Sequence, residues 1–368
     1  MTFLLSRRLP IASAGQLHTN QGMTVGTDIT IASISSYLRT HLPEIGVPIG
    51  LEKFMGGQSN PTFLLTTQSG KFVLRSKPKG NLLKSAHLVE REFHVMSNLA
   101  DSGVPVPKMF HLAQDDVSPI GRAFFVMEYL QGRVFWDPTL PDLKVEERCD
   151  YYLSMSTSLA DLHQIDPQQF GLGDFGKPGN YFVRQLTRWG ANYRTSTKTP
   201  SRDMLGIMEW LEKTVPHDDG QIALVHGDYR LDNIMFCPQR SSVLGILDWE
   251  LSTLGHPIAD LAYQCMQLRL PYGSGMRGLG GIDRRSFGIP SETEYVRSYA
   301  SARSIDPPAD WDFYLVFSYF RLIAILQGVV SRVENGNGSN PKQAQEFGKA
   351  IPLLENQAMA ILKDGADV

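Results

Sequence analysis

The sequence predicts an α+β chain built as two lobes, a small β-rich N-terminal lobe and a larger, mainly helical C-terminal lobe. Three observations lead there. Between Leu51 and Arg75, short runs of β-branched and large apolar residues are separated by Gly-rich or Ser-Gly turns, as in an antiparallel meander. From Val145 onward, apolar residues recur at helical spacing in long segments, 145–164, 203–215 and 311–333 among them. Two further strand-like runs, 222–225 and 234–247, interrupt that helical half. A length of 368 residues suits two lobes around a cleft, with 28–130 expected as the first and 131–368 as the second.

Composition narrows the function classes. Hydrophobic content of 42% and charged content of 20% belong to an ordinary globular protein. A formal net charge of −3 gives no support for nucleic acid or an anionic membrane surface as partner. The cysteines, Cys149, Cys237 and Cys265, form no CxxC pair, which argues against a disulfide framework or a zinc site and for a reducing, cytoplasmic setting. Residues 1–27 contain no Asp or Glu and carry Arg7 and Arg8. They are expected to be a disordered tail, with translation from Met23 as one alternative and an organelle transit peptide as the other. No membrane span is expected, because the longest apolar segment, Phe313 to Val330, has Arg321 at its middle.

Taken in order, residues 27–41 read as an amphipathic helix with Ile31, Ile34, Tyr37 and Leu38 on one face. The turn Gly56-Gly57-Gln58-Ser59-Asn60 lies between two strands, where backbone N–H groups can approach phosphate oxygens without a Cβ in the way. Lys71 to Arg75 is the next strand, followed by a helix through Glu90 and Glu92, then an extended run at 104–108 and a strand at 123–130. In the second half, His163 at the end of the 145–164 helix reads as a capping or core residue. The inserts 173–203 and 271–291 carry Arg184, Arg188, Arg194, Arg277, Arg284 and Arg285, with Tyr181 and Tyr193. As roofs over the cleft they favour an anionic acceptor, unless they pair with local acids such as Asp203 and Asp283. Arg321, inside an apolar helix, is expected in a buried ion pair.

The chemistry concentrates in IALVHGDYRLDNIMF and VLGILDWELSTLGHPIADLAY, residues 222–236 and 243–263. A hairpin returning from Ile234–Phe236 to Val243–Leu247 brings Asn233 and Asp248 to one end. One amide oxygen and one carboxylate suit Mg2+, which takes oxygen ligands and leaves room for phosphates. Asp228, five positions before Asn233, lies on the adjoining loop as a base for an incoming hydroxyl. Asp260, near a helix start, is expected to brace that loop.

His226-Gly227-Asp228-x-x-x-x-Asn233 followed by Leu247-Asp248-Trp249-Glu250 resembles the aminoglycoside phosphotransferase and choline kinase group, enzymes with a protein-kinase-like fold. The continuation to Leu254-Gly255-x-Pro257-x-x-Asp260 is most similar to the kinase-like domain associated with acyl-CoA dehydrogenases, over about Ile49 to Leu362. The resemblance implies an ATP-dependent phosphotransferase in which Asp228 is catalytic, Asn233 and Asp248 bind Mg2+, and Gly56, Gly57, Ser59 and Asn60 cover the donor phosphates. It implies that Arg75 stands where kinases carry a phosphate-binding Lys, with Lys77 or Lys79 as alternatives, and that Glu92 rather than Glu90 pairs with it. It also implies a hinge in which backbone groups of Glu128 and Leu130 face adenine, and a small hydroxylated acceptor such as a hydroxyacyl-CoA. Association with an acyl-CoA dehydrogenase follows from the same likeness. An aminoglycoside or amino-alcohol kinase is the second reading, and a nucleotide-binding pseudokinase module the third.

Overall fold

A computed structural model of the chain describes residues 29–54, 60–79, 89–177, 179–273, 276–336 and 341–366. The expected tail 1–27 and the turn residues Gly56, Gly57 and Ser59 lie outside the described residues. The first lobe is a five-stranded antiparallel sheet of β1 (Pro48–Lys53), β2 (Thr62–Thr67), β3 (Gly70–Ser76), β4 (Met109–Ala113) and β5 (Phe124–Glu128), in the order β1-β2-β3-β5-β4. Its two faces follow from the alternation of side chains along a strand. Leu74, Phe124 and Val126 join Ile34 and Leu38 of helix α1 (Ile31–His41) in one apolar cluster. Val73, Phe125 and Met127 face the other way, onto Val95, Met96 and Leu99 of α2 (Val89–Leu99) and the main core. Arg75 is two residues from Val73, so it shares the α2 face of β3. That parity aims its guanidinium at α2 and the cleft.

The extended run at 104–108 is not a ladder strand; the strand starts at Met109. Pro105 and Pro107 have no N–H to give a ladder. The Pro105 carbonyl instead accepts from Ile246 N (2.8 Å), which ties the sheet's connection to the second lobe.

The second lobe packs α3 (Val145–Gln164), α4 (Tyr181–Ser196), α5 (Arg202–Lys213), α6 (Ile258–Arg269), α7 (Glu292–Ala302), α8 (Trp311–Glu334) and α9 (Pro341–Asp364) around two strand pairs. In these, β6 (Ala223–Val225) pairs with β9 (Thr253–Gly255), and β7 (Ile234–Phe236) with β8 (Val243–Ile246). Helix α8 is long and apolar enough to cross a membrane by composition alone, but 72% of its most apolar window is buried inside the protein. It is the central core helix, flanked by α4, α6 and α9.

Two expectations about buried residues are corrected. Arg321 has no carboxylate partner among the described residues; its Nη2 donates to the Gly227 carbonyl (2.6 Å), and the guanidinium lies 5.4 Å from the Tyr263 ring centroid. Tyr181 and Tyr193 do not face the cleft. Both are buried, Tyr181 against Phe182 and Phe317 and Tyr193 with its hydroxyl on Ser201 N.

Candidate active site

The loop after β6 is held by its backbone. Asp260, fully buried in the first turn of α6, accepts from His226 N at 2.6 Å and Gly227 N at 2.8 Å. Gly227 has φ of 84°, and a Cβ there would lie 2.5 Å from the Leu251 carbonyl oxygen, so glycine is required twice over. Its own carbonyl is the group that Arg321 holds. The His226 ring completes the fixation: Nδ1 accepts from Asp228 N (3.2 Å), so Nε2 carries the proton and donates to the Leu247 carbonyl (2.9 Å). One histidine thus links the loop to the end of β8.

Asp260 is itself the end of a hydrogen-bond chain. Burial holds His163 below the usual histidine range, against the pull of Asp260, so the ring is neutral. Its Nε2 donates to Asp260 Oδ2 (3.3 Å), its Nδ1 accepts from the Tyr299 hydroxyl (2.7 Å), and Arg303 donates to that hydroxyl (3.2 Å).

Asp228 is oriented by two donors. The Tyr263 hydroxyl donates to Oδ1 (2.9 Å) and Asn233 Nδ2 to Oδ2 (3.0 Å), while Arg230 Nε stands 3.5 Å from Oδ2. Burial raises the Asp228 pKa above the usual carboxylate value; Arg230 opposes the rise and Asp248 adds to it. Asn233 Nδ2 also reaches the Asp228 carbonyl (2.9 Å), and Oδ1 of that amide has no hydrogen-bond partner among the described residues.

The pairing of Ile234 with Ile246 sets Asn233 and Asp248 at the same end of the β7–β8 hairpin. Asp248 has φ of 67° and ψ of 59°, a left-handed conformation that Asp tolerates better than most residues. Arg75 Nη2 donates to its Oδ1 (2.6 Å) and Arg75 Nε to Glu92 Oε2 (2.9 Å), so one guanidinium joins α2 to the end of the β7–β8 hairpin. Burial opposes the Arg75 charge, but Glu92, Asp248 and Glu250 more than offset it and raise its pKa. Burial pushes Glu92 up to about 8, against the pull of Arg75 and with Asp248 and Glu250 adding to the rise.

The remaining sequence-derived residues are distributed as follows. Asn60 is buried, its Nδ2 3.5 Å from Glu250 Oε2 and its Oδ1 without a partner among the described residues. Lys77 is engaged by Glu90 and by Asp115 (2.7 Å), and Lys79 is exposed, so Arg75 is the cation that β3 brings to the cluster. The Glu128 side chain is exposed and accepts from Lys108 N (3.1 Å). Leu130 sits over Gly245, where a Cβ would lie 2.5 Å from its Cδ1. Of the arginines in the two inserts, Arg277 pairs with Asp232 (2.7 Å), Arg284 donates to the Leu268 carbonyl (3.3 Å) and Arg188 lies 4.9 Å from the Trp189 ring centroid.

Sequence reasoning missed Tyr263. A signal was present: Asp260, Tyr263 and Gln267 recur at i, i+3 and i+7, a polar stripe on a helix otherwise buried all round. Gln267 Nε2 donates to the Tyr263 hydroxyl (3.1 Å), completing a line from α6 to Asp228.

A sheet with one helix beneath it, facing a loop whose Asp and hairpin carboxylate are set by a helical lobe, defines a kinase-like phosphotransferase. Comparison with known proteins narrows this class: residues 50–295 match the model of the Phosphotransferase enzyme family, and the chain belongs to that family. Mouse Acyl-CoA dehydrogenase family member 10 is 43% identical over 312 residues, covering 84% of this chain but only 29% of the relative's length. The crystal structure of a candidate aminoglycoside phosphotransferase from Ralstonia eutropha is 41% identical with a TM-score of 0.81, covering 92% of this chain and 99% of that one. A spectinomycin phosphotransferase in complex with ADP and spectinomycin shares the fold, with a TM-score of 0.59 at 13% identity over 90% of this chain and 98% of that one.

Removing the cation at the centre of the cluster has a calculable direction. Arg75→Ala leaves Glu92 buried without its partner and is expected to cost roughly 3–5 kcal/mol of unfolding free energy. The cost should be largest well above pH 8 and shrink as the pH falls towards that value, because a carboxyl with a raised pKa takes up a proton once its arginine is gone. Arg75→Lys should recover part of the loss, since a point charge cannot span both carboxylates. Denaturant unfolding across pH checks this, and a loss below about 1 kcal/mol at every pH would show the pair to be no more than a surface bridge.

Proposed function

We propose that the chain transfers the γ-phosphoryl group of ATP to a hydroxyl of a small molecule, with a hydroxyacyl thioester of coenzyme A as that acceptor. The observation that carries the first part is the holding of Asp228, whose two oxygens each have one fixed donor, Tyr263 and Asn233. The carboxylate is aimed but keeps lone pairs for an incoming hydroxyl. Phosphoryl transfer asks a protein mainly for positioning and charge neutralisation. The hydroxyl proton passes to Asp228, the hydroxyl oxygen forms the new bond to phosphorus, and the bond from the γ-phosphorus to the β–γ bridging oxygen breaks.

Mg2+ fits the donor set at the hairpin. Asn233 Oδ1 and the Asp248 carboxylate would hold it, both hard oxygen ligands. When bound, Mg2+ supplies neutralisation of the β- and γ-phosphate charge. Arg75 would keep Nε on Glu92 and turn Nη2 from Asp248 to the phosphates. Asn60 would belong with Gly56, Gly57 and Ser59 in the phosphate-covering turn, and backbone groups of Glu128 and Leu130 would meet adenine. ATP as donor is supported by the ADP named with the spectinomycin phosphotransferase.

The acyl-CoA acceptor is supported by the mouse relative, which bears an acyl-CoA dehydrogenase name; its greater length also supports an acyl-CoA dehydrogenase as partner. The Ralstonia protein's designation favours an aminoglycoside instead. Polycationic acceptors need carboxylates free to meet ammonium groups, yet Asp228 and Asp232 each already face an arginine. ATP consumption measured against hydroxyacyl-CoAs, amino alcohols and aminoglycosides tests the acceptor: turnover of a hydroxyacyl-CoA is expected, and turnover of kanamycin-like polycations alone would overturn it.

Two variants probe the machinery. Asp248→Ala should abolish Mg2+-dependent ATP binding together with turnover, and unchanged Mg2+ dependence of binding would show the metal to lie elsewhere. The acid limb of kcat/KM should fall above the ordinary Asp value of about 3.9, because burial raises the Asp228 pKa. Tyr263→Phe removes a hydrogen bond that favours the charged form, so the limb should move to still higher pH. A limb unmoved in this variant would mean that another group sets it.

A further inference from the structure

We infer that the cavity beside Asp228 is an acceptor subsite in which Arg277 takes an oxyanion of the acceptor and Gln264 a hydrogen-bonding group, so that acceptors are chosen for negative charge as well as for a hydroxyl. This rests on Asp228 being the base, as proposed above, and goes on to say what the site recognises. The cavity is walled by Trp136, Arg230, Asp232, Gln264 and Arg277 among others. Arg230 places it next to the base, with Nε 3.5 Å from Asp228 and 3.0 Å from Asp232.

Gln264 is the next residue along α6 from Tyr263, which holds Asp228. It is 1% exposed, and its Oε1 has no hydrogen-bond partner among the described residues. A buried carboxamide oxygen left unpaired costs roughly 1–3 kcal/mol, a cost that a ligand N–H or O–H relieves. Gln264 is among the residues that line the cavity.

Arg277 gives the cavity its sign. Nη1 is 2.7 Å from Asp232, yet the side chain keeps 46% of its exposure. The guanidinium lies 4.4 Å from the ring centroid of Trp136, itself 50% exposed. The ring and Asp232 hold the guanidinium in place while almost half of it stays exposed, and such a fork suits carboxylate or phosphate. The backbone at Arg277 has φ of 59°, a left-handed conformation in a non-glycine residue, so the loop holds this arginine at a conformational cost. Asp232 lies between two guanidiniums and offers nothing to an ammonium group, which would meet Arg230 and Arg277 first. The oxyanion has two sources, the carboxylate of a free hydroxy acid or the phosphates of coenzyme A.

Three probes built on one hydroxyacyl group separate them: the free hydroxy acid, its coenzyme A thioester, and its uncharged N-acetylcysteamine thioester. Calorimetric binding is read beside turnover with ATP and Mg2+, so charge preference is measured even where chemistry fails. The full-length chain should favour one anionic probe over the neutral one by about tenfold or more, and the favoured probe names the source of the anion. R277Q should cut that preference by about tenfold while nucleotide affinity measured without acceptor stays the same, and R277K should fall between. Q264L, which keeps the size and loses the polar group, should weaken all three probes. Equal binding of the neutral and both anionic probes, or a preference that R277Q leaves intact, would overturn the subsite. Preference for the free acid would correct the acceptor proposed above and support the subsite, and charge-selective binding without turnover would count against phosphoryl transfer and still support it.

Discussion

The buried fork of Arg75 is the interaction on which the two lobes depend. A guanidinium 11% exposed is stable there because Glu92 and Asp248 meet two of its nitrogens, and Glu92, 2% exposed, would be left buried without its partner if the arginine were removed. Three separate elements are therefore bound to one position: β3, which carries the arginine; α2, which carries Glu92; and the end of the β7–β8 hairpin. The parity of β3 follows from the same requirement, because a shift of one residue would turn Arg75 to the α1 face and put Leu74 in its place. Arginine rather than lysine suits the position, since its planar fork can reach both carboxylates at once.

A second constraint sits below the first. Gly227 is gripped at its N–H by Asp260 of α6 and at its carbonyl by Arg321 of α8. Through His163 and Tyr299 the grip extends to α3 and α7. Four helices thus fix one residue, and the fixed residue sets where Asp228 stands. Buried polar groups are costly unless paired, and from Arg303 through Tyr299 and His163 to Asp260 each link joins a donor to an acceptor. The large helical lobe is in this sense the mount for a short loop.

Much of this was legible in the sequence, for physical reasons that differ by element. The period of two in β2, β3 and β5 and the long helical periods of α3 and α8 survive because each face must be apolar or polar as a whole. The Asp228–Asn233 interval and the hairpin that returns to Asp248 are local, so spacing alone places them. What escaped is non-local or short. Three-residue β9 has no period to read, and its partner β6 lies thirty or so residues away, beyond the reach of turn signals. Arg321 was expected to need a carboxylate, but a backbone carbonyl bent away from regular pairing at Gly227 serves instead. Tyr181 reads as part of an Arg-rich insert over the cleft, and its packing on Phe182, Phe317 and Gly255, all distant in sequence but for Phe182, makes it core. His163 reads as a bland helix end, because its partners Asp260 and Tyr299 come from α6 and α7.

The most direct measurement is a structure of the chain with Mg2+ and a non-hydrolysable ATP analogue. The account predicts the ion on Asn233 Oδ1 and the Asp248 carboxylate, Arg75 Nε still on Glu92, and Arg75 Nη2 moved from Asp248 to a phosphate oxygen. An ion bound away from both Asn233 and Asp248, or a nucleotide seated with Arg75 still on Asp248 and no contact to phosphate, would contradict it.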